Sequence, residues 1–267
     1  MNIPLPQVSH AAIDRKIESF AADIHRLMTE RDQALEASRR TRRDALLRLA
    51  AAAELKDDDT GVHIVRMGYT SALIALALGC PTDWSERLFY ASRMHDIGKL
   101  GIPDSILKKP GPLTPEEREV MNRHPELGWA LLADADNPLF QLAAEVALTH
   151  HERWDGSGYP GGLAGEAIPL SGRIVAVADF FDALTMDRVY RPAFSDEQAL
   201  AMLGEASGSH FDPKVVTAFF IAKERIIAAR DHVNRGESPD LAESWRGRDA
   251  ETTAATSSQT LREHTHV

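Results

Sequence analysis

Histidine and aspartate residues recur along the middle of this 267-residue chain in an order that suits metal binding. The pair His95-Asp96 begins the pentapeptide HDIGK, and the pair His150-His151 begins HHERWDGSGYPGG. His124 lies between the two pairs, in MNRHPELG, and no serine or cysteine signature of a nucleophilic enzyme accompanies them. This order predicts a site built from imidazole and carboxylate ligands.

Adjacent ligands of this kind can serve two metal ions at once. Neighbouring residues on a helix point about 100° apart, so His95 can bind one ion while Asp96 reaches a second ion and bridges both. The candidate ligands are five histidines and two aspartates: His63, His95, Asp96, His124, His150, His151 and Asp179. This sulfur-free set suits iron, manganese, zinc or cobalt. Two such ions side by side commonly hydrolyse a phosphodiester.

Each of these residues also has a simpler interpretation when it is taken alone. A single histidine such as His63 is usually a surface or hydrogen-bonding residue, and the glycine-rich GSGYPGG can be only a loop. All the candidate ligands, however, stand together at the ends of plausible helices. This joint occurrence favours a metal site over the simpler interpretations. The glycine-rich loop follows the second histidine pair, where a substrate could approach.

Helices are the elements expected to position these ligands. Thr114-Pro115-Glu116-Glu117 has the pattern of a helix start, with a threonine cap, proline at the first position and glutamate at the third. The segment IVAVADFFDALT contains β-branched residues that favour a strand, but the spacing of Asp179, Asp182 and Leu184 favours a helix. We therefore expect an all-α fold.

The first part of the chain predicts one long helix. Residues 12–55 contain neither proline nor glycine, and Ile13, Ile17, Phe20, Ile24 and Leu27 follow the 4-3-4-3 spacing of a coiled-coil seam. The seam ends at about two heptads. Two alternatives stay open: the helix packs on its own domain, or it forms a homodimer or a signalling connector.

Composition narrows the function classes. A net charge of -10 and a pI near 5.6 argue against a nucleic-acid-binding protein. The single cysteine, Cys80, favours a reducing compartment, and the N-terminus lacks the pattern of a signal peptide. The longest apolar stretch, residues 71–78, is too short to span a bilayer. These features predict a cytoplasmic protein that does not act in the membrane.

The motifs, taken in order, resemble the HD-GYP family, a branch of the HD metal-dependent phosphohydrolase superfamily. They are ELKDDDTGVHIVRM, RMHDIGKLGIPDSILKKPGPLT, HHERWDGSGYP, GRIVAVADFFDALTMDRVYR and HFDPKVV, and they span residues 54–219. The resemblance implies an all-α bundle with a glycine-rich GYP loop. It also implies a bacterial enzyme that uses a metal-bridging hydroxide to hydrolyse cyclic di-GMP to pGpG, GMP or both.

The resemblance also implies roles for individual residues. The seven candidate ligands would bind two divalent ions, with Fe or Mn expected, and Asp96 would bridge them. Lys99 would stabilise a phosphate oxygen as negative charge builds. The residues expected on the substrate side are Tyr159, Arg188, Arg191 and Asp182, and Asp182 has a second interpretation as a support for a ligand. Asp59, in DDDTG, stands where relatives read the glutamate of DPETG, so it is the candidate ligand of a third ion.

These expectations divide the chain into an N-terminal helical connector or dimerisation segment at residues 1–50, an HD-GYP domain at residues 51–232 and a polar, disordered tail at residues 233–267. Two alternatives to the leading function stay open. One is a catalytically weak scaffold whose GYP loop docks a GGDEF-type cyclase. The other is a phosphodiesterase for another cyclic dinucleotide.

Overall fold

The computed structural model describes residues 10–56, 61–133, 136–187, 192–237 and 239. Within these ranges the chain forms helices and no named strand, which confirms the predicted all-α fold. The α-helices are α1 His10–Lys56, α2 Val62–Ala77, α3 Thr82–Ala91, α4 Asp104–Leu107, α5 Pro115–Met121, α6 His124–Leu132, α7 Pro138–Thr149, α8 Leu170–Thr185, α9 Asp196–Glu205 and α10 Pro213–Asn234. Short 3-10 helices cover Ser92–Met94, Ile97–Gly101 and Gly165–Ala167.

The chain divides into two compact units, Met1–Leu46 and Leu47–Val267. The described part of the first unit is the N-terminal portion of α1, a continuous helix of 47 residues. Its seam residues Ile17, Phe20, Ile24 and Leu27 are all exposed in the single chain.

The second unit is built around α2, which is buried on nearly all sides from Arg66 to Leu76. A helix with apolar residues around its whole circumference belongs in a core, and α2 packs against α3, α8 and α10. Helix α8 is also largely buried, with Ile174 and Val177 fully enclosed. Its β-branched residues therefore serve core packing in a helix, as the aspartate spacing predicted.

The predicted helix start at Thr114 is confirmed. The Thr114 hydroxyl accepts a hydrogen bond from the Glu117 amide at 3.3 Å, and the Glu117 carboxylate accepts one from the Thr114 amide at 2.8 Å. This reciprocal pair fixes where α5 begins. The chain then turns through residues 122 and 123 into α6, whose first residue is His124.

Gly98 lets the HDIGK segment approach α6 closely. A Cβ atom at this position would lie 1.8 Å from the carbonyl oxygen of His124 and 2.5 Å from the amide nitrogen of Gly128. Only glycine fits such an approach, which brings the His95-Asp96 pair beside His124.

Among the described residues, no helix combines the length and apolar character that crossing a bilayer requires.

The predicted tail lies almost entirely outside the described residues. Helix α10 ends at Asn234, and described residues continue only to 237, with 239 beyond. Two tertiary hydrogen bonds join this end to α2: Arg66 to the Asn234 side chain at 3.1 Å and the Tyr69 hydroxyl to the Pro239 carbonyl at 2.7 Å.

Candidate metal centre

Two groups of potential ligands face each other in the second unit. In each group the candidate ligand atoms all lie within 4.8 Å of one another. One group is Asp96, His124, His150 and His151, and the other is His63, His95 and Asp179. The structure therefore brings together all seven residues that the sequence singled out as ligands.

Each ligand comes from a helix or from a helix end. His63 belongs to the first turn of α2, and Asp179 lies in the middle of α8. His150 caps the end of α7, and the His95-Asp96 pair lies between two 3-10 helices. Because these elements are far apart in sequence, the site exists only when the whole second unit is folded.

Asp96 lies between the two groups. Its Oδ1 atom is 3.2 Å from Nε2 of His124 and 3.7 Å from Nε2 of His150. Its Oδ2 atom is 3.2 Å from Nε2 of His95. One carboxylate thus presents one oxygen to each group, which is the geometry that a bridging ligand requires.

The surroundings of the Asp96 Oδ1 atom suit a divalent metal ion. It is buried, and it accepts no hydrogen bond from a protein group. A buried acceptor without a partner is costly. A divalent ion among Asp96, His124 and His150 would satisfy it, and the donor set of imidazole nitrogens and carboxylate oxygens suits such an ion.

Three of the histidines are oriented by their own local backbone. Nδ1 lies 3.0 Å from the Ser92 carbonyl in His95, 2.9 Å from the Met121 carbonyl in His124, and 3.0 Å from the Ala147 carbonyl in His150. A carbonyl only accepts, so Nδ1 carries the proton and donates it in all three rings. Nε2 is then the nitrogen that each ring presents to a metal ion.

His63 is oriented by a carboxylate instead. Its Nδ1 atom lies 2.7 Å from Oδ2 of Asp182, and Arg66 donates to both oxygens of that carboxylate at 2.5 and 2.8 Å. Asp182 is only 6% exposed. Its two oxygens are therefore occupied by His63 and Arg66, as in the interpretation in which Asp182 supports a ligand.

Arg66 was not singled out from the sequence. It stands three residues after His63 in HIVR, so the two side chains lie on the same side of α2. That three-residue spacing is the sequence signal from which Arg66 could have been predicted as a partner of the His63 site. Burial would raise the pKa of Asp182, but hydrogen bonds from Arg66 and His63 hold it down at about 2, so the carboxylate stays ionised.

Lys99 lies at the edge of the ligand groups. Its Nζ atom is 2.9 Å from Oδ2 of Asp96. Burial would raise the pKa of Asp96, but the positive charges of Lys99 and then of His95 hold it well below its usual range. Burial would lower the pKa of His95, but Asp96 raises it to about 9. The carboxylate is thus the anionic centre of the site.

Tyr159 covers His151. The two rings stack with centroids 4.7 Å apart and planes 23° apart. Burial, and then the nearby His150 and His124, lower the pKa of His151, which keeps this imidazole neutral and able to bind a metal ion. Burial, and then Asp96, raise the pKa of Tyr159 to about 12, so its hydroxyl keeps its proton.

Glu152 organises the loop that carries Tyr159. Its carboxylate accepts hydrogen bonds from the amides of Gly161 at 2.6 Å and Leu163 at 2.9 Å. The Tyr159 amide also donates to the His151 carbonyl at 3.2 Å, and the Tyr159–Pro160 peptide is cis. Glu152 is buried, and sequence reasoning missed it although it directly follows the histidine pair.

The open side of the site is defined by side-chain exposure. The side chains of His95, His124 and His150 are at most 3% exposed, whereas Lys99 is 22% and Asp179 is 27% exposed. A ligand would therefore arrive past Lys99 and Asp179. The remaining predicted site residues, Asp59, Arg188 and Arg191, lie outside the described residues.

Comparison with known proteins agrees with the resemblance read from the motifs. The profile of a family described as HD domain matches residues 25–215. A cyclic di-GMP phosphodiesterase of Vibrio cholerae serotype O1 is 48% identical over 205 residues, which are 72% of this chain and 42% of the relative. A 3'3'-cGAMP-specific phosphodiesterase 2 of the same organism is 42% identical over 192 residues, 72% of this chain and 37% of the relative.

One solved structure shares the fold. The crystal structure of a cyclic GMP-AMP specific phosphodiesterase of V. cholerae, V-cGAP3, aligns with a TM-score of 0.53 at 22% identity, over 72% of this chain and 52% of that chain. The chain spans less than half the length of each of these two V. cholerae phosphodiesterases from the sequence comparison.

Proposed function

Since the chain belongs to the HD domain family, we propose that it is a phosphodiesterase that hydrolyses cyclic di-GMP to pGpG, GMP or both with two divalent metal ions. The observation that carries this proposal is the position of Asp96, whose two carboxylate oxygens face two separate groups of ligands. The 48% identity to a relative named a cyclic di-GMP phosphodiesterase supports the choice of substrate.

The ligand residues have a defined task in this proposal. Asp96, His124, His150 and His151 would hold one ion, and His63, His95 and Asp179 the other, with Asp96 shared. Two bound divalent ions supply Lewis acidity, which lowers the pKa of water and neutralises charge on phosphoryl oxygens. Fe or Mn is the proposed metal, because imidazole and carboxylate accept both. A third ion at Asp59 is a further option.

Other residues would bind the substrate. Lys99, on the open side, would place its ammonium against a non-bridging phosphate oxygen and favour the transition state, in which that oxygen carries more charge. Tyr159 would contact the substrate from the loop above His151. Arg188 and Arg191 would grip phosphate with their planar guanidinium groups. Asp182 would act through His63 by fixing the ring for metal binding.

A second substrate is favoured by one specific observation. A relative at 42% identity is named a 3'3'-cGAMP-specific phosphodiesterase. The two cyclic dinucleotides share their phosphates and sugars and differ in one base. The metal ligands and Lys99 would act on the phosphate, which both cyclic dinucleotides contain. These groups would therefore serve either substrate equally.

Two surfaces are proposed to bind partner proteins: the exposed seam of α1 and the GYP loop. The exposed seam of α1 places Ile17 and Ile24 at one heptad position and Phe20 and Leu27 at the other, an arrangement that favours pairing of two helices. We propose a homodimer through this seam, and its length of two heptads makes that dimer concentration-dependent.

A GGDEF-type cyclase docked on the GYP loop is the second proposed partner. The single cysteine favours a cytoplasmic location.

The deciding experiment is an anaerobic assay of the purified chain with Fe(II) or Mn(II), cyclic di-GMP and 3'3'-cGAMP. Nucleotide products are resolved by chromatography, and metal is counted per chain. We expect turnover of cyclic di-GMP to pGpG or GMP with about two ions bound. A chain that holds metal and hydrolyses neither nucleotide would instead be a binding or scaffold module.

A further inference from the structure

Lys56, the last residue of α1, contacts the turn that carries Lys99. Its Nζ atom donates hydrogen bonds to the carbonyl oxygens of Leu100 and Ile102, both at 2.7 Å, and of Lys99 at 3.3 Å. An ammonium group has three donors, and these three carbonyls use all of them. All the atoms involved belong to the second unit.

These carbonyls lie at the C-terminal end of a 3-10 helix. The helix covers Ile97–Gly101, and a helix supplies no donors of its own for its last carbonyls. The Lys99 carbonyl also accepts a hydrogen bond from the Ile102 amide at 3.0 Å. A cation at the C-terminus of a helix both satisfies carbonyls and complements the helix dipole. The Asp104 carboxylate, 3.6 Å from Nζ, adds an anionic contact.

The same turn supplies the groups that face the reaction. Lys99 contacts Asp96 through its side chain, and its amide donates to the Asp96 carbonyl at 2.9 Å. A shift of the Lys99 backbone would therefore move an ammonium group away from Asp96 and from the open side of the site. Misplacing a catalytic group by about 1 Å can cost about 100-fold in rate.

We propose that Lys56 is a positioning residue that fixes Lys99 against Asp96 and so makes the catalytic geometry depend on the last turn of α1. This inference rests on the proposed function for its catalytic consequence. Its structural part, the clamp on the Lys99 turn, is independent of any substrate.

Lys56→Met removes the donors and keeps an aliphatic side chain of similar length, and Lys56→Arg keeps a charged donor. Lys223→Met is the matched control, because Lys223 lies on α10 with an exposed side chain that pairs with the neighbouring Glu224 at 3.7 Å. We expect Lys56→Met to lower kcat by about 10- to 100-fold with little change in KM or metal content, and Lys56→Arg to recover part of the loss. Lys223→Met should match the wild type.

A double mutant separates positioning from general stability. In a Lys99→Met background, Lys56→Met should change kcat by less than about twofold, because the group it positions is gone. An equal loss of kcat with and without Lys99 would overturn the proposal.

Hydrogen–deuterium exchange of the full chain gives a readout that needs no turnover. Amides of residues 97–106 should exchange faster in Lys56→Met than in Lys223→Met, while α8 stays protected. If exchange in that segment is unchanged, Lys56 does not hold the turn. If the wild-type chain hydrolyses neither cyclic dinucleotide, the proposed function fails, and the exchange comparison alone decides on the clamp.

Discussion

The ammonium nitrogen of Lys99 lies 2.9 Å from Oδ2 of Asp96, and the same oxygen lies 3.2 Å from Nε2 of His95. A single carboxylate oxygen thus meets one fixed cation and one candidate metal ligand. Since the Lys99 side chain is 22% exposed and the imidazole is buried, the two contacts serve different sides of the site. The lysine is accessible to a substrate, whereas the histidine is accessible only to an ion within the centre.

Replacing Lys99 with Met should therefore reduce kcat by about 100- to 1000-fold, the usual effect of removing one group that stabilises transition-state charge. Metal content should stay at the wild-type value, because Lys99 is not a ligand. Steady-state kinetics together with metal analysis checks both expectations. Lys99→Arg serves as the charge-retaining control, and loss of metal along with activity would show that Lys99 acts through Asp96 instead.

Replacing Asp96 with Asn should lower the metal content by at least one ion per chain and abolish hydrolysis. The amide keeps the size of the side chain but removes the negative charge and one of the two oxygens that face the ligand groups. Metal analysis after dialysis and the anaerobic assay provide the measurements. Asp83→Asn, at an exposed surface pair with Arg87, is the control for loss of a carboxylate. Full activity in Asp96→Asn would contradict the bridging role.

Replacing Glu152 with Gln should loosen the loop that carries Tyr159. One amide, of Gly161 or Leu163, would lose its acceptor in a partly buried position, at a cost of about 1 kcal/mol in the free energy of unfolding. We expect KM to rise while metal content is retained. Denaturant titration and substrate kinetics test this, with the exposed Glu166→Gln as the control. An unchanged KM would show that the loop carrying Tyr159 does not contribute to substrate binding.

Replacing Gly98 with Ala should destabilise the fold, because the new methyl group would lie 1.8 Å from the His124 carbonyl oxygen. Overpacking of this kind costs about 1–3 kcal/mol, and here the obstacle is backbone, so about 3 kcal/mol is expected. Gly204→Ala is the matched control, because α9 leaves room there and alanine favours a helix by up to about 1 kcal/mol. Thermal or denaturant unfolding compares the two variants with the wild type.

Replacing Ile24 with Glu should shift the chain to a monomer. This side chain is exposed on α1 and occupies the centre of the proposed seam, where a charge could not be buried against a second copy. Light scattering over a range of concentrations measures the change. Ile221→Glu, at an exposed position on α10, is the control. A wild-type chain that is monomeric at all concentrations would refute the dimer.

The sequence predicted the all-α fold and the seven candidate ligands that the structure brings into two groups, because both leave local signals. The capping box at Thr114 lies within four residues, and the ligands stand in short motifs. Arg66 and Lys56 were missed because each is a charged residue whose partner is set by tertiary packing, and Glu152 was missed because its partners are amides of an irregular loop. Arg66 meets Asp182, which lies 116 positions later in the chain, and Lys56 meets carbonyls more than 40 positions away. A charged side chain in a helical segment predicts only a solvated surface until the packing is known.

The hydrogen bonds from His95, His124 and His150 to carbonyls three residues earlier have a further consequence. Each ring is aimed by the helix or turn to which it belongs, so the ligands are arranged before any ion arrives and need not rearrange when one ion leaves. Ions of similar size can then replace one another without unfolding the protein. Under the proposed function, the metal in the centre would accordingly depend on which divalent ions the cell supplies.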